Sequence, residues 1–423
     1  MKNKYGLITV LSLVMVFAVS TVTMAGFFDW LIGESNFKYY FPKKLKQSIE
    51  KEKEFLLVDI QPQEDFKKHH IQGAIGTSAY PVKSKQDKAK LDKILPQLKK
   101  SDNDIVIVCP RGGGGAERTY KYLSSQGIKE KRLYILENGQ KGWPYNNLLA
   151  QRDYSEYPNS SFITGPTWLL NNLNNDNLLV LDARGKEAYD NGHIPGAVAV
   201  TWQQFCNMNG KPGDKKWGTV LSADKLAEKL SNIGVAKNKN IVVYAISPQG
   251  WGEEGRIVWM LRMAGIKNTK ILDGGWSYWQ KNNYPVSKQN VKTQSSDLKI
   301  TELNKDWIIN TNQIKILDSR SENEYQGATN FGEARGGHLP GAISLPYKNL
   351  LDQNGNLKSP QKLEKIFKEA GLRKGDQIAS YCTGGIRSAY LTLVLRIMGY
   401  NKAENYDQSF YRWANLKELK LEN

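Results

Sequence analysis

A cysteine followed by glycines and an arginine is the feature of this sequence best suited to chemistry. The stretch SYCTGGIRSAY, residues 380–390, lies between two apolar runs. Glycines allow successive backbone N–H groups to converge on one point, and a helix N-terminus adds partial positive charge there. With the Arg387 cation, these groups favour a thiolate at Cys382 and predict a lowered pKa. We therefore predict a nucleophile, Cys382, in an anion-binding loop made by Thr383, Gly384, Gly385, Ile386, Arg387 and Ser388.

One sequence pattern occurs three times in the chain. The motif H-[IL]-x-G-A occupies residues 70–74, 193–197 and 338–342, each time after a short apolar strand that ends in aspartate. Eleven positions separate the aspartate from the histidine in the first two copies and twenty in the third, so the third carries an insertion. A strand, a helical stretch and another strand follow each histidine. This alternation predicts an α/β fold of three tandem domains, each with a mostly parallel sheet flanked by helices.

Polar gaps between the copies predict the domain boundaries. The 423 residues would make two or three domains at about 150 residues each. Domain one is expected at 36–154, domain two at 159–286 and domain three at 298–423. Residues 287–297 are polar and have the composition of a linker.

The N-terminus has the pattern of a secretory signal peptide. Lys2 and Lys4 precede an apolar stretch at 7–19, and residues 23–25 (TMA) form a small-x-Ala cleavage site, so we expect removal of residues 1–25. The uncharged stretch 5–28 leaves an uncleaved membrane anchor as the alternative. Either reading places the domains outside the cytoplasm, and we expect a periplasmic location.

Charge and cysteine content narrow the classes of partner. The formal net charge is +17, or +15 without Lys2 and Lys4. This charge favours small anionic substrates and allows peripheral contact with anionic membranes, although a solubilising lysine-rich surface explains it equally simply. The basic residues form no tract, so no nucleic-acid partner is expected. Three widely spaced cysteines, none with a histidine clustered beside it, predict neither a disulfide framework nor a metal site.

The residues around Cys382 resemble the active loop of the rhodanese (sulfurtransferase) superfamily, and the likeness covers nearly all of the chain after the signal segment. The arrangement is similar to exported bacterial sulfurtransferases of three domains. The motif C-x-x-G-x-R-[SA] is matched by Cys382, Gly385, Arg387 and Ser388. The motif D-x-R is matched by Asp318 and Arg320, and the motif G-H-[IL]-P-G-A by residues 337–342.

This resemblance implies a reaction. The Cys382 thiolate would take sulfur from thiosulfate or 3-mercaptopyruvate, hold it as a persulfide, and pass it to a thiol or protein acceptor. It implies no metal and no organic cofactor. Arg335 fits one of two arginines expected to clamp the donor's acidic group, whereas Gln326 stands near the place of the other. Small residues such as Thr383 and Gly384 are typical of mercaptopyruvate-type loops, whereas Arg387 is typical of single-domain rhodaneses. The resemblance therefore does not decide between thiosulfate and 3-mercaptopyruvate as the sulfur donor.

The second copy of the repeat retains the D-x-R motif but has no cysteine at the end of its central strand. Ala245 stands where the cysteine is expected, while Asp182 and Arg184 remain. We therefore predict that domain two is inactive and packs beside domain three, with Trp251 and Glu253 facing the active site.

The first copy is a degenerate version of the active one. Cys109 remains, but glycine replaces the loop arginine and Gln61 replaces the arginine of D-x-R. Cys109 is thus a candidate second thiol, with an auxiliary domain as the favoured interpretation. Cys206 has neither glycines nor basic neighbours and is expected to be a structural core residue.

Histidines and D-x-R pairs occur whether or not the nucleophile is present. We therefore expect His338 to orient a turn, and Asp318 with Arg320 to form a structural ion pair. Two other functions remain possible on the sequence: a non-catalytic sulfur or selenium carrier or partner-binding protein, and a dithiol redox protein that pairs Cys109 with Cys382.

Overall fold

The structure is a computed structural model that describes residues 37–50, 54–145, 149–150, 152–282, 284–309, 315–352 and 354–423. The predicted signal segment 1–25 lies outside these residues. Within the described ranges, no helix combines the length and apolar character needed to cross a bilayer.

Domain one is built on a five-stranded parallel sheet in the order β1-β6-β5-β2-β4, with a two-stranded antiparallel ribbon, β3-β7, beside it. Alternate residues of β5 enter two apolar clusters on opposite faces, Ile105 and Ile107 on one and Val106 and Val108 on the other. This period of two is the pattern of a strand buried on both sides. The strands are β1 (Tyr39–Tyr40), β2 (Phe55–Asp59), β3 (His70–Ile71), β4 (Ala74–Gly76), β5 (Asp104–Val108), β6 (Leu133–Leu136) and β7 (Leu149–Ala150), and the helices are α1 (Pro42–Glu50), α2 (Gln63–Lys68), α3 (Lys85–Asp92), α4 (Leu95–Lys100) and α5 (Gly114–Ser125).

Domain two repeats this design with a parallel sheet in the order β10-β9-β11-β12-β8. The predicted linker 287–297 runs along this domain, where Ser296 hydrogen-bonds to Ser231. The strands are β8 (Ile163–Thr164), β9 (Leu178–Asp182), β10 (Ala197–Ala199), β11 (Asn240–Tyr244) and β12 (Thr269–Leu272), and the helices are α6 (Pro166–Asn172), α7 (Lys186–Asp190), α8 (Ala223–Asn232), α9 (Glu253–Met263) and α10 (Gly275–Lys281).

Domain three has a four-stranded parallel sheet in the order β14-β13-β15-β16. A parallel bridge between Ile308 and Asn405 extends its edge. The strands are β13 (Lys315–Asp318), β14 (Ile343–Ser344), β15 (Ile378–Tyr381) and β16 (Ala403–Asn405), and the helices are α11 (Glu322–Tyr325), α12 (Pro360–Glu369), α13 (Ile386–Ile397) and α14 (Ser409–Asn415). The predicted α/β fold of three tandem domains is therefore correct.

The D-x-R pair ties the sheet of domain three to the turn that follows it. Arg320 donates to both oxygens of Asp318 at 2.7–3.0 Å and to the Gly337 carbonyl at 2.7 Å. The Tyr381 hydroxyl also donates to Asp318 and accepts from the Leu339 N–H. Domain two repeats these contacts around Asp182. In domain one, Gln61 stands at the position of the arginine and donates to Asp59 from an uncharged amide.

The repeated histidine has the same surroundings in each domain. The His338 ring stacks on Tyr325 at 3.7 Å between centroids, and its Nδ1 hydrogen-bonds to the Tyr325 carbonyl. His193 stacks on Tyr189 in the same way, and His70 on Phe66. These contacts hold a helix against the following turn, and they are the same with and without a cysteine in the domain.

Domains two and three share one hydrophobic core, because α9 and α13 pack closely across their boundary. Gly255 makes this approach possible. A Cβ atom there would lie 2.5 Å from Cδ2 and 2.7 Å from Cα of Tyr390. Domain one joins this unit through ion pairs such as Lys68 with Asp352 at 2.5 Å.

Candidate active site

Cys382 directly follows β15, an inner strand of the domain three sheet, and its side chain is buried with 1% of the residue exposed. Its N–H donates to the Ser409 hydroxyl at 3.0 Å, which fixes the strand end against α14. The Gly385 N–H donates to the Cys382 sulfur at 3.1 Å. Gly385 has φ +87°, and a Cβ there would lie 2.7 Å from the Asp407 carbonyl oxygen, so this turn requires glycine.

The surroundings of the sulfur lower the pKa of Cys382. Burial alone would raise that pKa, but the charge of Arg387 and the backbone N–H groups of Ser388 and Gly384 outweigh it. The loop leads into α13, whose N-terminus contributes partial positive charge at the same point. The site therefore favours the nucleophilic thiolate, as the sequence predicts.

Arg387 is held beside the sulfur by a carboxylate that sequence reasoning missed. Both oxygens of Glu324 accept from its guanidinium at 2.7 Å, and the Thr383 hydroxyl accepts at 2.6 Å while donating to Glu324. Burial raises the pKa of Glu324, but the Arg387 hydrogen bonds outweigh it and lower that pKa to about 2. Arg387 and Thr383, two residues of the predicted anion-binding loop, are therefore both hydrogen-bonded to Glu324.

A small cavity of about 70 Å³ opens onto the Cys382 loop. Its walls are mostly aromatic, and three of the rings come from domain two, which has no cysteine of its own in this place. We call the four rings the aromatic wall: Trp202, Trp217, Trp251 and Tyr411.

The insertion in domain three packs against the wall of this cavity. Phe331 packs edge-on against Trp251 at 5.1 Å, and both rings lie within 5.8 Å of the Arg387 guanidinium. The Tyr411 hydroxyl donates to the Phe331 carbonyl at 2.7 Å. Trp251 thus faces the active site, as expected, and Glu253 accepts a hydrogen bond from its N–H at 3.0 Å.

A family model that describes the rhodanese-like domain matches the chain three times, at residues 41–145, 165–282 and 302–416. This chain belongs to the rhodanese-like family. A thiosulfate sulfurtransferase of Corynebacterium glutamicum is 27% identical over 292 residues, which are 64% of this chain and 93% of that protein. The sulfur carrier protein TtuD of Thermus thermophilus is 25% identical over 285 residues, 62% of this chain and 96% of that protein.

Solved structures share the fold of most of this rhodanese-like chain. The anaerobic ergothioneine biosynthesis enzyme of Chlorobium limicola, in complex with its natural substrate trimethyl histidine, covers 92% of this chain and 99% of its own. Its TM-score is 0.59 at 18% sequence identity. A related structure, EanB in complex with ergothioneine, has the same coverage, identity and TM-score.

Domain two, the second rhodanese-like domain, also reaches the Cys382 loop through a buried arginine. Arg256, 1% exposed on α9, donates to the Gly385 carbonyl at 3.1 Å and forms an ion pair with Asp407 at 2.5 Å. It also donates to the Gly218 carbonyl at 2.9 Å. Arg256 therefore supports Gly385, the residue whose N–H contacts the Cys382 sulfur, and no motif in the sequence marks this arginine.

Arg335 does not reach the cavity. Its guanidinium donates to the carbonyls of Trp413, Ala414, Leu416 and Leu419 at 2.8–3.1 Å, and so caps the C-terminal end of α14. Carbonyls in the last turn of a helix lack the N–H partner of the following turn, and the Arg335 guanidinium adds hydrogen bonds to them and to the chain just beyond. We therefore assign Arg335 to this cap and correct the prediction that it clamps the donor.

The Cys109 loop of the first rhodanese-like domain retains only part of this geometry. The Gly112 N–H donates to the Cys109 sulfur at 3.0 Å, ahead of α5. Arg111 is exposed, and Gly114 stands where Arg387 stands in domain three. Asp65, at the position of Glu324, is also exposed. This copy therefore lacks the buried ion pair that holds a cation beside the sulfur.

Cys206 is a core residue, as expected. It lies buried against Arg256, whose guanidinium is 3.4 Å from its sulfur, and burial raises the pKa of its thiol. The three cysteines, all within the described ranges, are free thiols.

Proposed function

We propose that this rhodanese-like chain is a sulfurtransferase in which Cys382 carries sulfur as a persulfide. One observation carries the proposal: a buried cysteine with a lowered pKa receives backbone N–H groups at its sulfur, next to a fixed guanidinium. The thiosulfate sulfurtransferase name of the Corynebacterium glutamicum relative supports it.

In the first step, the Cys382 thiolate attacks the outer sulfur of the donor. With thiosulfate, the new bond joins Cys382 to that sulfur, the sulfur–sulfur bond of the donor breaks, and sulfite leaves with the electron pair. The product is the Cys382 persulfide anion. The Gly385 N–H and the positive end of α13 stabilise negative charge at this position.

In the second step, an acceptor nucleophile attacks the outer sulfur of the persulfide. The sulfur–sulfur bond breaks, and Cys382 leaves as a thiolate, ready for another cycle. A thiol acceptor becomes a persulfide, and cyanide becomes thiocyanate. We include 3-mercaptopyruvate among the donors, since Thr383 and Gly384 leave space after the cysteine.

Mass spectrometry after incubation with each donor tests this function. The Cys382 peptide should gain the mass of one sulfur atom, and cyanide should then remove it as thiocyanate. Cys382→Ser should abolish both signals, whereas Cys109→Ser, in the matching loop of domain one, should keep them. Added sulfur on the Cys109 peptide alone would refute the assignment.

A second candidate is a sulfur carrier that another protein loads. The name of the Thermus thermophilus relative and the deep burial of Cys382 favour it. A carrier would accept sulfur from a protein persulfide but show no turnover with thiosulfate or 3-mercaptopyruvate. An enzyme would turn over many equivalents of at least one small donor.

We also propose that the chain acts outside the cytoplasm, on the strength of its N-terminal pattern. Cell fractionation with N-terminal sequencing tests this location. A mature protein that begins after Ala25 is expected, and recovery of an intact N-terminus in the cytoplasm would contradict it.

A further inference from the structure

Domain one has an open surface cavity in which every charged side chain is a cation. The cavity has a volume of about 370 Å³ and lies between α3, α5 and the loop that precedes α3. This volume falls in the range of small-molecule sites, which begins at about 300 Å³. No carboxylate, cysteine or histidine is among the described residues that line it. We call it the basic cleft, and its cations are Lys83, Lys88, Arg118 and Lys121.

Two helices bring these cations to one place. Arg118, Lys121 and Tyr122 share a face of α5, because residues three and four apart lie side by side on a helix. Lys88 faces them from α3, with its Nζ 5.7 Å from the centre of the Tyr122 ring. The positive charges of both helices therefore converge on the basic cleft.

Arg118 has an anchored guanidinium with free hydrogen-bond donors. Its Nε donates to the Pro81 carbonyl at 2.9 Å, which fixes the orientation of the group. Its two outer nitrogens have no acceptor within the part of the chain that the structure describes. Arg387 differs, since both of its outer nitrogens bond to Glu324. Adjacent free donors on a guanidinium match two oxygens of a phosphate or sulfate group.

The acidic residues close to the basic cleft bond elsewhere. Asp87 accepts from the N–H groups of Lys83 and Ser84 and so caps α3. Asp92 accepts from the Tyr122 hydroxyl at 2.5 Å. None of the four cations forms an ion pair with a carboxylate of the described ranges. Their mutual repulsion therefore has no counterpart in the protein, and an anionic ligand would relieve it.

Domain one as a whole adds to this positive potential. Residues 36–154 contain 23 lysines and arginines against 14 aspartates and glutamates, so this domain carries +9 of the total charge of +17. Glu117, the acid on α5, lies on the side of Tyr39, and burial together with this carboxylate raises the pKa of Tyr39. The field at the basic cleft is thus not cancelled by its own domain.

We propose that the basic cleft binds an anion with several adjacent phosphate charges, as in a polyphosphate or in a lipid headgroup with two phosphates. The Arg118 guanidinium would hold one phosphate and the lysines its neighbours. Lys88 lies over the ring of Tyr122, so the basic cleft offers no open ring face on which a nucleotide base could stack. The site is separate from the Cys382 cavity, and binding there does not depend on sulfur transfer.

Isothermal titration calorimetry of the full chain with tripolyphosphate tests this site. Orthophosphate at the same ionic strength is the comparison, because it offers a single phosphate. Tripolyphosphate should bind at least about 10-fold more tightly, as expected when further charge-assisted hydrogen bonds form. No saturable binding of tripolyphosphate, or equal binding of the two anions, would overturn the proposal.

Two variants and a matched control locate the binding. Arg118→Gln removes the guanidinium, and the pair Lys88→Gln with Lys121→Gln removes two cations that contact only aromatic rings. Each variant should weaken tripolyphosphate binding about 10- to 100-fold. The pair Lys99→Gln with Lys131→Gln removes the same charge from exposed positions outside the basic cleft and should change binding less than about 2-fold. Equal weakening by the two pairs would mean attraction by net charge alone and would refute the site.

Vesicles distinguish the two sources of the anion. Retention of the full chain on cardiolipin vesicles, lost in the Lys88→Gln, Lys121→Gln variant and absent with phosphatidylcholine, would identify a lipid headgroup. Tripolyphosphate binding without this retention would identify a soluble polyphosphate. Sulfur loading of Cys382 should be equal in wild type and in these variants, so a failure of the proposed function would be recognised separately.

Discussion

Both oxygens of Glu324 accept hydrogen bonds from Arg387 at 2.7 Å, and this pair lies buried directly beneath the Cys382 loop. It fixes the guanidinium in place and leaves it near the sulfur. Domain two has Ala188 at the position of Glu324 and no cysteine, and domain one has an exposed Asp65 and no loop arginine. The cysteine, the arginine and the buried acid thus occur together only in domain three.

Removal of Arg387 should separate its electrostatic role from its structural role. Arg387→Met leaves the buried Glu324 carboxylate without its cation, which should cost about 3–5 kcal/mol of stability. It should also raise the pKa of Cys382, because Arg387 is the main charge that lowers it. The double variant Arg387→Met with Glu324→Gln should regain most of the stability and keep the raised pKa.

Urea unfolding and the pH dependence of Cys382 alkylation measure these two effects. In both variants the alkylation midpoint should move to higher pH than in wild type. If the double variant regained both the stability and the alkylation midpoint of wild type, Arg387 would act only through folding.

Arg256 should affect the chemistry of domain three from domain two. Arg256→Lys keeps a positive charge beside Asp407 but loses the forked guanidinium group that also donates to the Gly385 carbonyl. We expect a folded protein with sulfur transfer slowed about 10- to 100-fold, since small misplacements of a catalytic loop have effects of this size. The alkylation midpoint of Cys382 should also rise.

Arg262→Lys is the matched control on the same helix. Arg262 donates to the carbonyls of Thr269 and Ser161 and makes no contact with the loop. Its substitution should leave the rate of transfer unchanged. Equal losses in the two variants would point to a general effect on α9.

Gly255 should be essential to the packing of α9 against α13. In an unhindered helix, Gly→Ala would stabilise by about 1 kcal/mol. At Gly255 the new methyl group would overlap Tyr390, so Gly255→Ala should lower stability by about 1–3 kcal/mol instead. Gly114→Ala on α5, where a Cβ would meet only the end of the Arg118 side chain, should be neutral or stabilising. Urea midpoints compare the two, and a stabilising Gly255→Ala would contradict this packing.

Asp59 should make domain one less stable as the pH rises. Burial raises the pKa of Asp59 from 3.8 to about 7, only partly opposed by hydrogen bonds from Gln61. The folded state therefore binds the Asp59 proton more tightly than the unfolded state, so the contribution of Asp59 to stability falls between about pH 4 and pH 7 and then levels off. Burial lowers the pKa of His69 to about 4 and also lowers the pKa of His70, so these two groups act in the opposite direction. Gln61→Arg should restore the ion pair of the other domains and flatten this decline.

Hydrogen exchange of β2, corrected for the intrinsic rate at each pH, follows this domain alone. His69 and His70 are common to both proteins, so the difference between them reports Asp59: from pH 5 to pH 7.5, wild type should lose protection relative to Gln61→Arg. An equal decline in both proteins would exclude Asp59 as its source.

Much of the fold could be predicted because it follows from local patterns in the sequence. The alternation of strands and helices and the threefold H-[IL]-x-G-A motif predict the α/β domains, and the glycines after Cys382 predict the loop. The partners of the loop could not be found in this way. Glu324 and Arg256 lie 58 and 126 positions from Cys382 in the sequence, so only the packed structure shows their contacts with the loop.

For Arg335, the sequence pattern suggested a role that the structure contradicts. Its position before the G-H-[IL]-P-G-A motif suggested a clamp for the donor, but the carbonyls at the end of α14 lie closer and need a donor. No pattern in the sequence marked Trp202 and Trp217. Both line the cavity of domain three, because the shared core brings the two domains face to face.

The central claim is that Cys382 alone carries the transferred sulfur. The most direct measurement is mass spectrometry of the intact chain and of its three cysteine peptides after incubation with thiosulfate or 3-mercaptopyruvate. We predict one added sulfur atom on the Cys382 peptide, removed by cyanide, and none on the peptides of Cys109 and Cys206. Sulfur on Cys109, or an unmodified Cys382 with both donors, would contradict this claim.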